Sequence, residues 1–310
     1  MSVGARRGAP SLAGAAALLL LAALLLVPVA ARGQEVVRRI GRVTIRVDTS
    51  RSFPGGVVVV RIASAARLGA AWALLDGRRA PFHPDRGGLR ALVSVTADEE
   101  ARPATLGIGI AARRGEQRIA IPIEIATRTY PSRTIVLPVP FQALVALPEA
   151  TRDARLLLAA IRTESTEPVP GSLRPPVPAV GGGFGERRSY PGFSALESRI
   201  DALSGERHRG LDYAVPSGTP VVAPGAGTVV FAGALVLSGG TLVIDHGQGI
   251  VSVLLHLSRT DVQAGQAVTA GRPIGLSGDS GLAPSPLLQW RVYLHGVAVD
   301  PLVLDAALRS

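Results

Sequence analysis

The sequence predicts an all-β protein: a β-sandwich, a short helical connector, then a second β-sheet domain. Three patterns carry this. Short β-branched segments alternate with turn signals over residues 36–130, helical periodicity is clearest at 148–163, and within the second domain at 184–305 Val262, Gly265, Val268, Gly271 and Ile274 recur every third residue, as short strands turning at glycines would.

The first 33 residues read as an export signal. Arg6 and Arg7 precede an apolar run from Leu12 to about Val29, and the small residues Ala30, Ala31 and Gly33 follow it. A basic start, an apolar centre and a small-residue end form the signal-peptide pattern, with cleavage expected after Ala31 or Gly33. The reading places the protein outside the cytoplasm, in the periplasm, cell envelope or medium. Membrane contact is expected only through this segment, if it stays uncleaved.

The sandwich follows. Val43, Ile45 and Val47 alternate with Thr44 and Arg46, the period-2 signature of a half-buried strand. Val57 to Ile62 is β-branched, and Trp72 to Leu75 leads into the turn dipeptide Asp76-Gly77. Leu89–Val95 and Thr105–Ile110 extend the series. Ile119, Ile121, Ile123 and Ile125 alternate again, and Pro122 among them, lacking an N–H, predicts an edge strand. Short strands at regular spacing indicate an Ig-like sandwich. His83 lies in a Pro-Phe-His-Pro loop with no second ligand nearby and reads as a packing or solvated residue.

Pro148 suits a first helical turn, and Leu156, Leu157 and Ala160 give the helix at 148–163 an apolar face. Residues 166–183 are rich in proline and end in Gly181-Gly182-Gly183, which predicts an exposed linker between two separable domains.

Composition narrows the function. The 33 basic residues are all arginine, the net charge is +10 and there is no cysteine. Thiolate nucleophiles, disulfides and cysteine metal sites are therefore excluded. The arginines are scattered and aromatic residues make up only 4%, which argues against nucleic-acid binding.

Over 184–305 a set of motifs occurs in order. These are Phe184-Gly185-Glu186-Arg187-Arg188, His208-Arg209-Gly210-Leu211-Asp212 and Gly218-Thr219-Pro220-Val221 with Gly227-Thr228-Val229-Val230. Asp245-His246-Gly247, His256-Leu257-Ser258 and Val299-Asp300-Pro301 complete the set. Together they resemble the lysostaphin-type (LytM-type) zinc metalloendopeptidases. The resemblance implies a lysostaphin-type β-sheet domain related to lipoyl and biotinyl folds. A carrier role of the latter kind needs an attachment lysine, which the chain lacks.

The resemblance also implies a site. The family's zinc is held by the His and Asp of H-x-x-x-D and by the second His of a later H-x-H. The first His of H-x-H and a separate His before Leu-Ser assist the attacking water. His208 and Asp212 then take the first two ligand positions, and His256 takes the separate catalytic one. Residues two or four apart on an extended segment share a face, so His208 and Asp212 can converge. By the same rule His256 shares a face with Leu254 and Ser252.

At the H-x-H position the chain departs from the family. It reads Ser285-Pro286-Leu287-Leu288-Gln289-Trp290, so Leu287 replaces a catalytic His and Gln289 replaces the third zinc ligand. Leucine cannot transfer a proton, and a neutral amide oxygen is a poor zinc ligand. Arg291, next on the same face, adds a charge that opposes a cation. His295 lies about 20 Å further along an extended strand, in a His-Gly turn, and cannot substitute. His246 reads as a turn residue. Zinc is therefore expected to be weak or absent. The expected function is a non-catalytic module binding peptidoglycan or an envelope protein. The alternative is an active endopeptidase cleaving peptidoglycan cross-links with an altered ligand set.

Overall fold

The computed structural model describes residues 33–310 apart from 34, 65–67, 113–114, 137, 139, 164, 166–170 and 192–206. The segment read as an export signal lies outside the described residues except for Gly33, as does 166–170 of the proline-rich stretch.

The N-terminal half is a two-sheet sandwich. Its strands are β1 (Glu35–Ile40), β2 (Val43–Asp48), β3 (Val57–Ser64), β4 (Ala71–Leu75), β5 (Arg78–Pro81), β6 (His83–Asp85), β7 (Gly88–Ser94), β8 (Arg102–Ala112) and β9 (Gly115–Ile125). One sheet has the order β1-β2-β3-β7-β6 and the other β5-β4-β8-β9. Ile45, Val47, Val58, Val60, Leu106, Ile108, Ile121 and Ile123 form the core between them. Pro122 sits on β9, which among the described residues pairs only with β8, so the edge position the sequence implied is the one adopted.

The connector holds β10 (Ser132–Thr134), α1 (Pro140–Ala146) and α2 (Pro148–Ile161). The sequence reading found α2 and missed α1, which has neither an acidic first turn nor a basic last turn. After β11 (Arg187–Ser189) the C-terminal domain is built from β12 (Leu211–Tyr213), β13 (Pro220–Val222), β14 (Gly227–Leu235), β15 (Gly239–Asp245), β16 (Ile250–Thr260), β17 (Ala267–Val268), β18 (Pro273–Ser277), β19 (Leu288–Leu294) and β20 (Val297–Val299), closed by α3 (Pro301–Arg309). The main path of its sheet runs β12-β19-β16-β15-β14-β17.

Both faces of this sheet are covered. Leu211, Leu254, Leu288, Trp290 and Val292 point to one face and pack with Leu304 and Leu308 of α3. Val243, Val251, Val253, Leu255 and Tyr293 point to the other, where Leu157 and Ile161 of α2 cover them. Burying each of those two α2 side chains contributes about 1.5–3 kcal/mol. Behind the sheet, His246 is fully enclosed. Its Nδ1 donates to the Ala226 carbonyl (2.7 Å), and its Nε2 accepts from Ser252 Oγ (2.8 Å), which itself accepts from Trp290 Nε1 (3.1 Å). Burial lowers the His246 pKa to about 4. This histidine is thus a neutral structural member of the core.

Two expectations change. The proline-rich stretch is no free tether where it is described. Leu173 and Val177 are buried in the C-terminal core, and Val222 N donates to the Pro176 carbonyl (2.9 Å). The two halves also share a core. Val57, Val59 and Leu92 on the outer face of the sandwich join the cluster of Leu304, Ala307 and Leu308. This explains the unbroken Val57-Val58-Val59-Val60 run, since a strand covered on both faces has no reason to alternate. At the seam, Asp300 Oδ1 caps α3 by accepting from Leu302 N (3.0 Å), and its Oδ2 pairs with Arg128 (2.7 Å). Arg128 stacks on the rings of Phe53 and Tyr130. Val299-Asp300-Pro301 therefore joins the halves as well as starting a helix.

Two outcomes follow from this architecture. Urea should unfold both halves in one transition, and Asp300→Ala should lower its stability by about 1–3 kcal/mol through the lost cap and ion pair. Two resolved transitions in the native protein would contradict the shared core. The second outcome concerns acid. A histidine whose folded pKa lies below its unfolded value contributes fully above the unfolded value and loses that contribution as pH falls through the folded one. Stability should therefore decline between pH 6.5 and about 4, by on the order of 3 kcal/mol from His246. His246→Gln should flatten that decline, which urea midpoints across the pH range would measure.

Candidate functional site

The site is laid out by strand register. Across three neighbouring strands Asp212 pairs with Gln289, and Gln289 pairs with Leu255. These residues form one row on the α2-facing side of the sheet, while Leu211, Trp290 and Leu254 form the next row on the other side. Arg291, two residues beyond Gln289, returns to the site side. His208 precedes β12 and is fixed through its backbone N–H to the Glu186 carbonyl (2.8 Å).

The side chains meet in a closed hydrogen-bond network. His208 Nδ1 faces the Gly183 carbonyl at 2.9 Å and donates to it, which leaves Nε2 as an acceptor. Gln289 Nε2 lies 2.7 Å from that Nε2 and 2.8 Å from Asp212 Oδ1, one amide hydrogen for each. Gln289 Oε1 accepts from Arg291 Nε (2.7 Å). The neighbours fix this orientation: a flipped amide would set oxygen against carboxylate and N–H against guanidinium. Asp212 Oδ2 is taken by Arg188 (2.7 Å), which also holds Glu186 (3.0 Å). Burial alone would raise the Asp212 pKa. The Arg188 charge and the hydrogen bonds from Arg188 and Gln289 act the other way, and the carboxyl stays well below the usual carboxylate range. Gly183 is required here: with φ +94°, an added Cβ would stand 2.9 Å from Arg188 and 3.3 Å from His208.

His256 reaches the site by a route that simple alternation does not give. An unbroken strand would send it to the Leu254 and Ser252 face, away from Asp212 and Gln289. A register shift between β15 and β16 falls at this point, where Leu254 pairs with Leu242 but Leu257 pairs with Gly240. His256 takes a left-handed φ of +65°. The bulge re-aims the ring, a usual effect of an extra residue in a strand. Nδ1 then donates to the Ser280 carbonyl (2.9 Å), and Arg291, Asp212 and His208 are the charged groups that act on the ring. Burial, followed by the Arg291 charge, lowers its pKa despite the Ser280 bond and Asp212, so it is neutral at neutral pH. Leu287, half-buried and bonded through its N–H to the Gly278 carbonyl (2.9 Å), offers no proton-transfer group.

The residues therefore do not fit zinc. Zinc needs three lone pairs at roughly 2.0–2.2 Å. His208 Nε2 and Asp212 Oδ1, 3.3 Å apart, face a common point, but an amide N–H₂ group points into it. No group of three or more His, Asp, Glu or Cys side chains suited to a metal occurs among the described residues. The sequence reading brought His208, Asp212, Gln289 and Arg291 together. It gave Arg188 and Glu186 no role, although both stood in a motif it singled out.

Comparison with known proteins is consistent with the sheet and the motifs. Residues 206–301 match the model of peptidase family M23. An uncharacterized metalloprotease of Haemophilus influenzae is 40% identical over 98 residues, which cover 31% of this chain and 21% of that protein. The peptidoglycan DD-endopeptidase ShyA of Vibrio cholerae is 37% identical over 103 residues, 33% of this chain and 24% of its own. The matched part thus spans under a third of the length of these relatives. A crystal structure assigned to peptidase M23 from Pseudomonas aeruginosa superimposes with a TM-score of 0.59 at 27% identity, over 83% of this chain and 96% of that one. That likeness extends beyond the C-terminal sheet into the sandwich. Motif order, sheet and relatives agree on one assignment: residues 206–301 are a domain of peptidase family M23, a family of zinc-dependent metallopeptidases.

Proposed function

We propose that this protein is a cell-envelope protein whose M23 domain binds peptidoglycan peptides without cleaving them. One observation carries the reading: the Gln289 amide bridges His208 and Asp212 where a cation would have to sit. Activating water at a zinc site needs an open metal position and a proton-transfer partner. Here Gln289 fills the place of the third ligand with a donor, and Leu287 stands where the partner histidine would be. Arg188 and Arg291 tie the network down from either side, Arg188 through Asp212 and Arg291 through Gln289. Location in the envelope is supported by the peptidoglycan enzymes among the relatives and by the basic, apolar and small-residue order of residues 1–33.

Purified protein should hold far less than one zinc per chain, sediment with insoluble peptidoglycan, and leave its turbidity unchanged. Losing a direct ligand should cost more than the roughly 10–100-fold typical of changes around a metal's ligands. The paired substitution Leu287→His with Gln289→His should restore zinc binding, measured by metal analysis. Stoichiometric zinc in the native chain, with chelator-sensitive clearing of the wall suspension, would favour the active endopeptidase instead.

A further inference from the structure

The backbone and Nδ1 of His208 are held by one short segment upstream of it. His208 N donates to the Glu186 carbonyl (2.8 Å), its carbonyl accepts from Gly185 N (2.8 Å), and its Nδ1 donates to the Gly183 carbonyl (2.9 Å). The segment is itself a turn, closed by Glu186 N on the Gly183 carbonyl (3.1 Å). Residues 183–186 precede the 206–301 stretch that matches the family. The place from which His208 meets Gln289 is thus set from outside that stretch.

This turn rests on the sandwich. Tyr130, which follows β9, donates its hydroxyl to the Pro54 carbonyl (2.6 Å), and its ring meets Phe184 edge-on at 6.1 Å. Gly185 lies so close to the same ring that an added Cβ would overlap it, and its φ of +77° favours glycine. Arg207, directly before His208, stacks on the ring (5.4 Å) and donates to the Gly185 carbonyl (3.1 Å). On the sandwich side Arg128 stacks on the ring at 4.9 Å while it pairs with Asp300. One half-buried ring therefore meets both the residue before His208 and the turn that holds His208, and is itself fixed at the seam.

We propose that Tyr130 is a positioning residue for the candidate site: its ring holds the turn of Gly183 to Glu186 where His208 accepts from Gln289. The sandwich is then one wall of the site rather than a separate module. Close-packed side chains transmit displacement, and hydrogen bonds weaken steeply when misaligned. Tyr130→Ala takes away the surface on which Gly185 and Arg207 lie, whereas Tyr130→Phe removes only the hydroxyl and its bond to Pro54. This role rests on geometry alone and goes beyond the ligand proposed above, since it holds whatever the site binds.

Two readouts on the full chain test it: nitrogen NMR of the His208 ring, and carbethoxylation of His208 followed by mass spectrometry, with buried His246 as the inert control. Tyr130→Ala should shift the His208 ring nitrogens and raise its modification rate by about tenfold or more, as local opening does. Tyr130→Phe should keep both readouts native. Ile108→Ala, in the core between the sandwich sheets, controls for lost stability. It should lower the urea midpoint and leave His208 native. If the alanine protein does not fold, Tyr130→Leu makes the same comparison, since leucine lacks the ring face on which Gly185 and Arg207 lie. Native His208 signals and rate in Tyr130→Ala or Tyr130→Leu would overturn the proposal. Equal changes in Ile108→Ala would overturn it too, because His208 would then respond to lost stability alone.

Discussion

The site depends on one side-chain amide. Gln289 joins His208, Asp212 and Arg291, and through Asp212 it reaches Arg188 and Glu186. Both amide hydrogens of Gln289 and its oxygen have partners. A buried polar network of this kind is stable only when fully satisfied, because each unpaired member costs about 1–3 kcal/mol. A metal site built on the same His208 and Asp212 would need Nε2 and Oδ1 as free lone pairs, and the amide consumes both. Gln289 thus occupies both of those groups at once. Arg291 completes the arrangement by fixing which end of the amide faces inward.

The scaffold holds this row by register and by enclosure. β12, β19 and β16 place Asp212, Gln289 and Leu255 side by side, and Trp290 on the reverse face ties the sheet to Ser252 and His246. The sandwich is part of the same body. Its outer valines pack against α3, and Asp300 with Arg128 fixes the start of that helix to the sandwich. The connector between the halves then has little freedom of path. It leaves the sandwich near Tyr130, runs along β11, and ends as a helix lying on the site face of the sheet.

Much of this was legible in the sequence, and the parts that were not have physical reasons. Alternating Val and Ile marked the sandwich strands, Pro122 marked an edge, and the ordered motifs marked the C-terminal sheet and drew His208, Asp212 and Gln289 together. Alternation failed at His256, because a bulge with a left-handed residue carries no period-2 signal. The proline-rich stretch looked like a tether because composition reports backbone stiffness and is silent on whether Leu173 and Val177 find a core. α1 escaped notice because its ends carry no capping charge. The role of Arg188 was hidden because its partner lies 24 residues away and meets it only when β11 and β12 are in place.

The ring nitrogens of His208 report on the central interaction most directly. Nitrogen NMR of ¹⁵N-histidine-labelled protein at neutral pH should show Nδ1 protonated and Nε2 as an unprotonated hydrogen-bond acceptor. Both signals should stay unchanged when equimolar zinc is added. A zinc-dependent shift of His208 Nε2 would contradict the account, since it would show that the metal displaces the Gln289 amide from the place it is held to fill.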